Sequence, residues 1–110
     1  MNASNMPLSE QFRLVAKKWV EADRAASLME ETKTTRLSQH MQNLIREEGE
    51  MPNATAERLV KASPQWQEDL IQMVNLRTQA NRLKVQLEYI RMQFSEHQSF
   101  EATKRAEMKL

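Results

Sequence analysis

The chain has 110 residues and a net charge of +1, with 40 % hydrophobic and 28 % charged residues, one glycine, three prolines and no cysteine. That length fits a single domain over residues 1–110, and the balance of apolar and charged residues excludes a disordered tail and a membrane-spanning protein. A near-neutral charge gives no overall field toward nucleic acid or anionic lipid, and the missing cysteines exclude disulfides and thiolate metal sites.

The opening Met1-Asn2-Ala3-Ser4-Asn5-Met6-Pro7 has neither a basic nor an apolar leader region, so a cytoplasmic location is expected. The sequons at Asn2 and Asn53 then carry no function. Scarce glycine and proline favour few, long elements and an all-α fold with helix over more than about two-thirds of residues, against a base rate near one-third. Ser9 is read as the N-cap of a first helix spanning about 9–48. Its apolar stripe is Phe12, Val15, Trp19, Ala22, Ala26 and Met29. The stretch Glu30 to Arg36 then lacks any apolar residue, and the stripe resumes out of phase at Leu37, Met41, Leu44 and Ile45. A phase slip with three threonines admits a kink or break there. Gly49 and Pro52 stop the helix. A short helix over about 54–62 follows, and Ser63-Pro64 signals the N-cap and first position of a last helix over about 64–108.

The last helix has a coiled-coil-like seam. One heptad position carries Trp66, Met73, Ala80, Leu87 and Phe94, and the position three later carries Asp69, Leu76, Leu83, Ile90 and His97. The predicted architecture is a long antiparallel helical hairpin with a short connecting helix. Reflection about residue 56 pairs Phe12 with Phe100, Trp19 with Phe94, Met29 with Leu83 and Ile45 with Trp66, with Ala22 and Ala26 facing Ile90 and Leu87. A second apolar stripe, Ile71, Val74, Val85, Tyr89 and Met92, occupies the back of the same helix. A helix apolar on two faces needs two neighbours, and one first helix supplies only one. These five residues are therefore the expected partner or oligomer interface, and a homodimer forming a helical bundle is the expected assembly.

Two polar rows flank the seam. Gln65, Gln72, Gln79, Gln86 and Gln93 recur in register; they read as a solvated flank or as a ladder that hydrogen-bonds a partner. Arg77, Lys84, Arg91 and Arg105 line the other edge, with Arg82, Lys104, Lys17 and Lys18 near it, and could follow a row of phosphates. Acidic neighbours such as Glu88 and Glu96 interrupt that area, and neither a helix-turn-helix nor an aromatic stacking platform accompanies it. The residues that could meet a polar or nucleic-acid partner are thus Arg77, Lys84, Arg91, Arg105, Gln79, Gln86 and Gln93. No phosphate loop or nucleophile motif occurs. The two histidines, His40 and His97, fall far apart in a hairpin, and His97 with Glu101 reads as a surface pair. No catalytic residue, metal ligand or cofactor is assigned, and the chain is read as not an enzyme.

The segment Arg82-Leu83-Lys84-Val85-Gln86-Leu87-Glu88-Tyr89-Ile90-Arg91-Met92-Gln93-Phe94, continued from Ser95 to Leu110, resembles the terminal helix of small helical bacteriophage and prophage accessory proteins. The resemblance spans about a third of the chain and carries over no site residues. It implies a small factor in a bacterial cytoplasm that acts on a host or phage protein or supports DNA metabolism. The expected function is a non-enzymatic accessory acting by protein–protein interaction. The alternatives are a nucleic-acid-binding accessory of recombination or replication, and a structural or assembly oligomer.

Overall fold

One hydroxyl organises the joint between the last two helices. Ser63 Oγ accepts the backbone N–H of Trp66 at 3.2 Å and donates to the Val60 carbonyl at 2.6 Å. Pro64 takes the first helical position, where its missing N–H leaves nothing unsatisfied. The computed structural model describes residues 6–109. These form four helices, α1 Leu8–Glu31, α2 Lys33–Glu48, α3 Asn53–Lys61 and α4 Pro64–Met108, with no strand among the described residues. The Asn2 sequon lies outside them.

The first helix, expected over about 9–48, is two helices, and the phase slip is where it breaks. Its start is at Leu8 with Pro7 at the cap, so Ser9 lies inside the first turn and does not cap it. At Thr32 the backbone sits at φ −93°, ψ 7°. Its hydroxyl donates back to the Leu28 carbonyl at 2.7 Å, the competition with helical bonding that threonine brings. The end of a helix leaves carbonyls without intrahelical donors. Arg36 reaches back across the break to supply one, donating from Nη2 to the Met29 carbonyl at 2.6 Å.

Gly49 closes α2 with its N–H on the Ile45 carbonyl at 2.8 Å. Its φ of 97° and ψ of 172° fall in a region open essentially to glycine alone. A Cβ there would meet nothing within 4 Å, so backbone strain, and not crowding, selects glycine.

The four buried residues of α4 are Trp66, Ala80, Leu87 and Ile90, all on the predicted seam. Val15, Leu87 and Ile90 form the central cluster, with Leu8, Phe12, Ala16, Trp19 and Leu83 packed on it. Ala26 and Ala80 have no exposed surface, as small residues do where two helix backbones come close. The predicted register needs correction. Phe12 shares a cleft with Ile90 and Phe94, while Phe100 is exposed, and the aromatic partner of Trp66 is His40. The point of reflection lies near Asn53, because the chain reverses at the Gly49–Pro52 loop and not midway through α3.

The molecule measures 84 × 28 × 17 Å with a radius of gyration of 23.7 Å. A compact domain of this length would have a radius of about 13 Å. Among the described residues, no large side chain is fully withdrawn from water. The core is therefore a narrow seam two helices thick. Past Phe94, α4 extends beyond the start of α1 as an overhang of about 21 Å, on which Phe100 and Met108 are exposed.

Candidate interaction surface

A 45-residue helix with apolar side chains on opposite faces can satisfy only one of them against α1. The uncovered face is the one the sequence marks as the second stripe. Ile71, Val74, Val85, Tyr89 and Met92 are between 58 % and 65 % exposed. They run for about 31 Å along the helix. The short helix does not cover them. Its Ala56 and Val60 are buried, and α3 packs chiefly on α2. Midway along the stripe lies a shallow depression of about 330 Å³ lined by Thr78, Asn81, Arg82 and Val85.

The basic edge does not stand as a continuous row of unpaired cations. The Arg77 guanidinium reaches α1, where it meets Asp23 at 2.7 Å, Glu30 at 2.9 and 2.7 Å through two nitrogens, and Ser27 Oγ at 3.2 Å. This fork is a clamp between α1 and α4. Arg91 lies over the Phe12 ring, 5.8 Å from its centroid. Lys84 and Arg105 are exposed, and Arg105 makes one long contact of 3.4 Å to the Glu101 carbonyl. Gln79 and Gln86 are exposed, Gln93 is half-buried, and among the described residues none of the three bonds across to α1.

The Arg77 side chain, hydrogen-bonded to Glu30, holds that carboxyl below its ordinary value of 4.5. A carboxyl lowered in the folded state contributes stability above its unfolded pKa and loses it as pH falls through the folded value. Arg77→Met should therefore weaken the hairpin more at neutral pH than at about pH 3. Denaturation midpoints of both proteins at the two pH values check this, and an equal gap at both would contradict it.

Two further features of the structure have only a faint signal in the sequence. His40 Nε2 lies 3.0 Å from Asp69 Oδ2, and its ring meets Trp66 edge-on at 6.2 Å. Asp69 at an apolar seam position was the signal for a polar partner opposite. The second is an apolar cleft of about 300 Å³ at the open end of the seam, lined by Leu8, Ser9, Phe12, Ile90, Arg91 and Phe94. Among the described residues, no three His, Cys, Asp or Glu side chains converge on one point, and no helix is long and apolar enough to cross a membrane. His97 is exposed on the overhang, far along α4 from Asp69 and His40. In comparisons with protein-family models, curated proteins and solved structures, nothing matches this chain.

Proposed function

We propose that this chain is a non-enzymatic accessory protein that acts by protein–protein interaction, with the outer face of α4 as its docking surface. One observation carries the reading. Five large apolar side chains stand more than half exposed in a single row, on a helix whose opposite face is already closed by α1. Contiguous apolar surface of several hundred Å² marks interaction sites on soluble proteins. The occupant is a helix of a second copy, giving a homodimer, or of another protein. The resemblance of residues 82–110 to bacteriophage accessory helices points to a partner in the bacterial cytoplasm. Nucleic-acid binding has less support, since Asp23 and Glu30 neutralise Arg77 at the head of the basic edge.

The test compares wild type with Val85→Glu/Tyr89→Glu. Both positions are exposed, so helix content should hold, while self-association and any proteins retained from a bacterial lysate should be lost together or singly. The same solution mass and the same retained proteins for both would contradict the reading.

A further inference from the structure

We infer that a second copy of this chain packs antiparallel on the outer face of α4, with the two-fold axis between Asn81 and Arg82. The inference rests on the docking reading above and adds the occupant and its register. A two-fold interface is isologous, so the face must complement itself when reversed. This one does. Counted outward from the midpoint of Asn81 and Arg82, Thr78 and Val85 stand equally far, then Val74 and Tyr89, then Ile71 and Met92. A reversed copy sets Ile71 against Met92, Val74 against Tyr89 and Thr78 against Val85.

Steric fit favours this direction over a parallel one. The depression lined by Thr78, Asn81, Arg82 and Val85 sits at the axis, where Val85 of each copy faces Thr78 of the other. The larger Tyr89 meets the smaller Val74. A parallel pair would set Tyr89 on Tyr89 and Val74 on Val74, so the two helices could not close evenly along the row. It would also bring both α2–α3 ends together, whereas reversal lays the broad end of one copy beside the slender overhang of the other. Opposed helix dipoles favour reversal as well. Arg82 beside the axis has the reach to carry its charge outward to solvent. Covering both stripes would bury on the order of 1,000 Å², near the lower end for a specific pair before the overhang adds to it.

The absence of cysteine allows unique spin labels, and the glutamine row supplies the sites. Gln65, Gln72, Gln79 and Gln86 are exposed on one edge of α4. Single changes Gln65→Cys, Gln72→Cys, Gln79→Cys and Gln86→Cys, each labelled, would be separated along the axis by about 50, 29, 8 and 14 Å in the antiparallel pair. Pulsed dipolar spectroscopy should find the shortest separation at residue 79 and the longest at residue 65. Equal separations at all four sites mean a parallel pair, which overturns the register and leaves the docking reading standing. No dipolar coupling at any site, with a monomeric mass, overturns the second copy. If Val85→Glu/Tyr89→Glu then strips other retained proteins, the docking reading survives; if it changes nothing, both fall.

Discussion

Leu87→Ala should lower the unfolding free energy by about 2–3 kcal/mol, at the lower end of the range of about 2–5 kcal/mol for truncating a buried leucine. Leu87 is 9 % exposed and stands in the central cluster with Val15 and Ile90. The transfer cost of its lost methyl groups is therefore felt in full. The cavity part should be smaller than in a thick core, because the seam has only two walls and solvent or neighbouring side chains can close the gap. Val85→Ala supplies the contrast on the same helix. Val85 is 65 % exposed, and in the isolated hairpin its truncation should fall within about 0.5 kcal/mol. Chemical denaturation at a protein concentration low enough to keep the chain monomeric checks both, since association would otherwise add its own stabilisation. A loss below about 0.5 kcal/mol for Leu87→Ala, with the fold intact, would place that residue on the surface.

Trp66→Ala should be the costlier change, at about 3–5 kcal/mol. Trp66 is 4 % exposed, and it joins two parts of the molecule that otherwise touch little. Its ring meets His40 of α2 edge-on, its backbone N–H is capped by Ser63, and Asp69 one turn later bonds His40 Nε2 at 3.0 Å. Apart from the Ser63 joint and the Gln67 Nε2 bond to the Lys61 carbonyl at 3.0 Å, little else ties the α2–α3 pair to α4 among the described residues. Truncation should release that pair while α1 stays on α4 through Val15, Leu87 and the Arg77 clamp. Amide hydrogen exchange reads the difference: protection should fall over residues 33–61 more than over Leu8–Glu31. An equal fall in both would mean that the two ends unfold as one unit.

The contrast between these two ends also marks what the sequence could disclose. The seam of α4 was legible because a helix uninterrupted by glycine or proline keeps its phase, so Trp66, Ala80, Leu87 and Ile90 could be assigned by counting alone. The exposed row Ile71 to Met92 was legible for the same reason. The break at Thr32 was signalled by a stripe that resumed out of phase, though local bonding by Thr32 and Arg36 decided that it became a break. The hairpin register was not legible. It depends on where the Gly49–Pro52 loop turns the chain and how α3 is laid down, and reflection about a single residue knows neither. The Arg77 clamp depends on that register. With Phe12 moved from Phe100 to Phe94, Glu30 falls opposite Arg77, and a cation read as free for phosphate becomes half of an ion pair.

The mass of the wild-type chain in solution, measured by light scattering from low to high micromolar concentration, decides whether a second copy covers the outer face of α4. A hairpin whose outer face is covered by a second copy should rise from 12.9 kDa toward twice that value as concentration increases. The Val85→Glu/Tyr89→Glu variant should stay at 12.9 kDa throughout. A wild-type mass fixed at 12.9 kDa over the whole range would contradict a second copy on the row from Ile71 to Met92.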